Sequence, residues 1–170
     1  NTGSLHAFVL YKGRGGPFQQ GAERQRFSCI RAGRKDASKP YEGLEPMDRV
    51  LCDVPCSGYG VIRRKPEIRY KPLATVRELP RLQYAILENG AALVKPGGLL
   101  LYATCTLNPA ENGAVASRFL QEHPEFEPAP FRLPGVTRLV EEPPHTITLL
   151  PVNGGSDGFY AARFRRKGDL

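Results

Sequence analysis

An open α/β sheet, mostly parallel and finished by an antiparallel C-terminal pair, is the fold class that the sequence predicts. Three observations carry this reading. Short apolar runs of strand length recur along the chain, segments with helical spacing separate the later ones, and two strand-like runs flank a Gly-rich connection near the C-terminal end.

Taken in order, the apolar run Leu5 to Tyr11 (LHAFVLY) reads as a short buried strand. The glycines and proline of KGRGGPFQQG argue for a loop where an α/β protein often begins a helix, and residues 22–27 suit one helical turn. SCIRAG is a second strand leading to Asp36, and residues 39–47, with Pro40, Gly43 and Pro46, form a loop. Met47 to Val54 is a third strand, apolar enough for burial on both faces, as in central parallel strands. From Thr75 the residues Leu79, Leu82, Ile86 and Leu93 recur at helical steps up to the stop signal KPGG, with Pro80 near the helix start. Leu99 to Ala103 is another buried strand, and a helix follows from about Ala110 to Glu122, halted by Pro124. Residues 124–145 are proline-rich and read as irregular, and TITLLPVNGGSDGFYAARFRRK reads as the closing antiparallel pair. No linker is long enough to divide the chain, so residues 1–170 are expected to form one domain.

With 41% hydrophobic and 24% charged residues, the chain can bury a core of its own. Its formal charge of +7 is spread along the sequence, which favours a polyanionic partner, nucleic acid before membrane. No apolar run is long enough to span a bilayer, and the first residues lack a cleavable signal pattern. They also lack an initiating Met, so the chain is expected to begin inside a longer protein. Four cysteines are too few for a disulfide scaffold, and a reduced, cytoplasmic setting is expected.

The cysteines fall at 29, 52, 56 and 105, with only one close pair, and the three histidines are far apart. That spacing does not suit a zinc knuckle, and no Cys-x-x-Cys redox motif is present. Neither the dinucleotide fingerprint nor the phosphate loop is satisfied, because GRGG runs into Pro17. What remains is cysteine chemistry at strand ends, where an open α/β sheet binds its ligands. Asp53 and Cys56 follow one strand and Cys105 another, with Thr104 and Thr106 offering hydroxyls to the loop or to a substrate. Each cysteine taken singly is more often a small core residue, as Cys29 and Cys52 are expected to be.

The segments DVPCSGYGVIRRKPEIRY, LVKPGGLLLYATCTLNPAEN and GSDGFYAARFRRK together resemble the Sun-type RNA cytosine-5 methyltransferases, and in particular the members acting on bacterial ribosomal RNA. The resemblance is strong from Met47 to Lys167. It implies a Rossmann-like class I methyltransferase fold and methyl transfer from S-adenosylmethionine to an RNA cytosine through a covalent cysteine adduct. By the family pattern Cys105 is the attacking thiolate, Cys56 assists release of the product, and Asp53 contacts the base edge beside the cofactor. Asp36 falls where the family's aspartate meets the adenine side of the cofactor. Arg63, Arg64, Lys65 and Arg69 are placed to meet RNA phosphates, or else form a solvated basic loop. Glu111 and Asn112 suit a helix start beside Cys105, and Asp157 suits turn chemistry.

The sequence departs from the family pattern at its N-terminal end. The family's cofactor loop, of the form D-x-C-A-A-P-G-G-K-T, is not found in residues 1–170. Val9 stands where the family carries an acid for the ribose hydroxyls. The expectation is therefore an N-terminally truncated methyltransferase domain with an incomplete S-adenosylmethionine site, weak cofactor binding in isolation, and a sheet edge open to self-association. A non-catalytic RNA-binding or interaction fragment of the same fold is the competing expectation.

Overall fold

The computed structural model describes residues 3–9, 20, 21, 24, 29–135, 142–151 and 156–168. The chain divides into two compact units, Asn1–Tyr41 and Glu42–Leu170. In the first, β1 (Leu5–Val9) pairs in parallel with β2 (Ile30–Arg34), from Leu5 opposite Ile30 to Val9 opposite Arg34. Phe8 packs on the Tyr41 ring at 5.6 Å, and the Lys35 ammonium sits 5.2 Å from the centre of the same ring. The expected loop and helical turn between these strands lie almost wholly outside the described residues.

The second unit holds β3 (Met47–Asp53), α1 (Leu73–Ala92), β4 (Val94–Thr104), α2 (Gly113–Glu122), β5 (Phe126–Pro128), β6 (Thr146–Leu149) and β7 (Phe159–Arg166). Its sheet runs β3-β4-β7-β5, with β6 also paired to β7. β3 and β4 are parallel, with Val50 opposite Leu100 and Asp53 opposite Ala103. β7 is antiparallel to β4, β5 and β6, so the antiparallel part is wider than a terminal hairpin.

Alternation along the strands explains the core. Cys52, Leu100, Tyr102, Ala162 and Phe164 point to one face, where they meet Leu87 and Ala91 of α1 and Val115, Ala116 and Phe119 of α2. Phe119 is fully buried, with ring centres 4.9 Å from Phe164 and 5.1 Å from Phe126. Filling this site stabilises the unit by about 3 kcal/mol, the usual scale for a buried aromatic ring.

Five expectations about the elements need correction. β3 is buried on one face only: Cys52 is inside, whereas Leu51 is 63% exposed. It ends the strand order, and α1 and α2 share the opposite face. Pro80 is the eighth residue of α1 rather than near its start. The inward stripe of α1 is Val76, Gln83, Tyr84, Leu87, Gly90 and Ala91, which displaces Leu82 to a more exposed position. α2 begins at Gly113, and the irregular region after Pro124 contains β5.

Candidate active site

Because β3 and β4 run in parallel with Asp53 opposite Ala103, their carboxyl ends deliver two loops side by side. The Val54 amide donates to the Ala103 carbonyl at 3.2 Å and extends the ladder one step into the loops. Three residues beyond Asp53 comes Cys56, and just beyond β4 comes Cys105. Their sulfurs lie 3.2 Å apart although 49 positions separate them in sequence.

Several ties hold this approach. The Gly60 amide donates to the Cys105 carbonyl at 3.1 Å, and the Ser57 and Thr106 hydroxyls share a 2.6 Å bond. Thr104 donates to the Asn112 side-chain oxygen at 2.7 Å, and the Asn112 amide donates to the Thr106 carbonyl at 3.0 Å. The threonine hydroxyls thus hold the loop. A third loop joins before β7, where the Gly158 amide donates to the Gly60 carbonyl at 2.8 Å. A methyl group on Gly60 would lie 2.0 Å from the Gly158 oxygen, so the two backbones touch only because neither residue has a side chain.

The thiols are electrostatically unequal. Cys105 is lowered from its ordinary 9.0 to about 7, first because the Cys56 thiol donates to it; its own backbone amide and the charge of Lys71 also lower it. Burial and the neighbouring Asp53 charge oppose the shift. Cys56 is pushed far up by the same hydrogen bond and by burial. Of the two, Cys105 is therefore the one that ionises, about half thiolate at pH 7, while Cys56 stays a thiol. Lys71 is held beside it by donating to the Ser57 carbonyl at 2.8 Å. Asp53, at the end of β3, has its carboxyl raised by desolvation.

The remaining sequence-predicted residues sort as follows. Cys52 is buried against Gly90 of α1, with no room there for a larger residue, and burial pushes its thiol up to about 12, so it is core. Cys29 is a half-buried free thiol of the first unit. Asp36 lies in the first unit, two residues beyond β2, exposed and accepting from the Ser38 amide at 3.0 Å and hydroxyl at 2.7 Å. Both bonds reach one oxygen and hold the carboxyl below its usual range. Asp157 does more than shape a turn: it is buried and pairs with Arg64, with Arg63 at 3.9 Å. Arg63 and Arg64 are thus turned towards the third loop, whereas Lys65 and Arg69 are exposed and make no ion pair among the described residues.

Sequence reading passed over Gln83, Tyr102 and Lys71, and gave Glu111 only a helix-start role. Gln83 and Glu111 are both fully buried and hydrogen-bonded to each other at 2.9 Å, and Tyr102 donates to the Glu111 carbonyl at 2.5 Å. A glutamine inside the apolar stripe of α1 was the available signal, hidden because the stripe was placed in the wrong register.

Within the second unit Asp53 offers a carboxylate acceptor at the end of β3, and within the first Asp36 offers one beyond β2; each by itself suits an amino group of an adenine or methionyl ligand. Among the described residues no set of three or more metal-binding side chains converges, and no helix is long and apolar enough to cross a membrane.

Residues 2–165 match the family model described as 16S rRNA methyltransferase RsmB/F. The chain is 42% identical to the probable ribosomal RNA small subunit methyltransferase B of Bacillus subtilis (strain 168), over 99% of this chain and 39% of that protein. It is 36% identical to the ribosomal RNA small subunit methyltransferase B of Thermus thermophilus, over 78% of this chain and 32% of that one. It therefore spans about two fifths or less of the length of these relatives. Among solved structures, that of PH0851 superposes with a TM-score of 0.86 at 34% identity, over 96% of this chain and 37% of that one. NSun6 from Pyrococcus horikoshii with SFG shares the fold, with a TM-score of 0.84 at 21% identity, over 98% of this chain and 42% of that one. The chain has the Rossmann-like class I methyltransferase fold and belongs to the RsmB/F family of 16S rRNA methyltransferases.

Proposed function

We propose that this chain carries the cysteine-bearing part of an RNA cytosine-5 methyltransferase that acts on ribosomal RNA, with S-adenosylmethionine as the methyl donor. One observation carries the proposal: Cys56 and Cys105 place their sulfurs 3.2 Å apart, one poised as thiolate and the other as thiol. Carbon 5 of cytosine is too weak a nucleophile to attack a methyl sulfonium unaided. Addition of the Cys105 thiolate to carbon 6 forms a sulfur–carbon bond and leaves electron density at carbon 5 and ring nitrogen 3. Asp53, its carboxyl raised by desolvation, suits proton sharing with that nitrogen. S-adenosylmethionine, when bound, supplies an electrophilic methyl group to carbon 5.

Release then requires loss of the carbon 5 proton and breakage of the sulfur–carbon bond. The hydrogen bond to Cys105 is the largest influence keeping Cys56 protonated. Once the Cys105 sulfur is bonded to carbon, that influence is gone. Cys56 can then give its proton to solvent and, as thiolate, take the carbon 5 proton, while the electrons left at carbon 5 expel the Cys105 thiolate from carbon 6. The two sulfurs thus exchange the thiolate role in the course of the reaction. Lys65 and Arg69, exposed after Cys56, suit phosphate contacts. By the family pattern Asp53 lies beside the cofactor, and Asp36 is taken as a contact to its adenine side.

Methylation of ribosomal RNA fragments by the full-length protein, read by mass spectrometry of the nucleosides, tests this reading. Accumulation of 5-methylcytidine that is lost in Cys105→Ala is expected. Methyl transfer to any other atom, or transfer that survives the substitution, would overturn it.

A further inference from the structure

We propose that Glu111 is a positioning residue for the cysteine pair: its buried carboxylate ties the loop carrying Cys56 to the loop carrying Cys105 and so sets the spacing of the two sulfurs. The inference rests on the reading of that pair as the reacting thiols.

Glu111 is fully buried. One carboxylate oxygen accepts from the Ser57 backbone amide at 2.8 Å and from the Gln83 side-chain amide at 2.9 Å. The other accepts from the Asn108 side-chain amide at 2.8 Å. Ser57 directly follows Cys56, and Gln83 also donates to the carbonyl of Pro55, the residue before it, at 2.9 Å. Asn108 closes the loop that begins at Cys105. Both flanks of Cys56 and the far end of the Cys105 loop therefore converge on one side chain.

The chemistry of the site demands an acceptor-only group. All three groups facing the carboxylate are N–H donors, and a carboxylate has lone pairs enough for them. A glutamine would present its own NH2 to one of these donors. Asn108 cannot simply turn over to meet it, because its oxygen already accepts from the Ala110 amide at 3.2 Å. An aspartate is one methylene too short to reach both loops. A fully buried acidic side chain is an expensive way to fill space, and an apolar residue would serve a purely packing role better.

Phenylarsine oxide reads the spacing directly. It condenses with two thiols, forming two arsenic–sulfur bonds and releasing one water, and binds tightly only when both sulfurs reach one arsenic atom. The full-length protein is compared with Glu111→Gln, Asn108→Ala and Val115→Ala. The last removes buried volume from α2 and serves as the purely structural control. Losing simultaneous engagement should weaken the arsenical by about tenfold to a hundredfold in Glu111→Gln. Asn108→Ala, which keeps the other ties, should fall between it and the wild type, and Val115→Ala should bind as the wild type does. Binding by Glu111→Gln within twofold of the wild type would overturn the proposal, as would loss in Val115→Ala matching its loss of thermal stability. If Glu111→Gln does not fold, Asn108→Ala decides alone: unchanged affinity overturns the proposal. The arsenical needs only the two thiols, so this result is separate from any failure of RNA methylation.

Discussion

Removing Cys56 should change how the reactivity of Cys105 depends on pH, and the size of the change follows from the thiol pair. With the donor in place Cys105 sits at about 7, and without it the thiol returns towards 9.0. At pH 7 the thiolate fraction would fall from about one half to about 1%, roughly fiftyfold. The less acidic thiolate is the better nucleophile, by about eightfold over this range at a Brønsted slope near 0.45. Alkylation of Cys105 by iodoacetamide in Cys56→Ala should therefore be about sixfold slower than wild type at pH 7. It should be about eightfold faster above pH 10, with the two profiles crossing near pH 8. The sign is fixed by the direction of the shift: a depressed thiol keeps its thiolate down to about 7 and loses it below. The assay is peptide mass spectrometry of Cys105 after timed alkylation across pH 5–11. An inflection that stays near 7 in the variant would refute the donor role of Cys56.

Gly60→Ala must push apart the Gly60 and Gly158 backbones and should lower stability by about 1–3 kcal/mol, read as a fall in the midpoint of urea unfolding. Gly113→Ala, at the open first position of α2, should be neutral or stabilising by about 0.4–1 kcal/mol, and equal losses in the two would contradict the close approach. In the basic loop, Lys65→Ala and Arg69→Ala should weaken RNA binding and lower its salt slope by about 0.7 each, with the urea midpoint unchanged. Arg64→Ala should lower the urea midpoint as well, because it leaves buried Asp157 only its more distant partner Arg63, and a variant that affects RNA alone would place Arg64 wrongly.

The strands that carry the chemistry were legible in the sequence because apolar runs ending in DVPCSG and YATCT mark both the sheet and its carboxyl ends. That Cys56 and Cys105 end neighbouring strands could be read from an open α/β sheet, but the register that brings their sulfurs together could not, since parallel pairing of β3 with β4 is a long-range fact that local pattern does not contain. Leu51 shows another limit. Its apolar neighbours suggested burial on both faces, but which faces are covered depends on where α1 and α2 pack. Glu111 and Gln83 were illegible for a related reason: a polar residue in a helical stretch reads as solvent-facing until its partner across the core is known. Arg64 and Arg69 differ by only five positions and by no local signal, yet one meets Asp157 and the other faces solvent.

The central claim is a covalent bond between Cys105 and an RNA cytosine. RNA carrying 5-fluorocytosine tests it, because fluorine at carbon 5 cannot be lost as a proton and elimination stops after methyl transfer. With the full-length protein and S-adenosylmethionine, a denaturation-resistant protein–RNA adduct mapping to Cys105 is expected. It should be absent in Cys105→Ala, and Cys56→Ala should accumulate such a complex even with ordinary RNA. An adduct that maps to Cys56, or methylation of RNA with no adduct at all, would contradict the account.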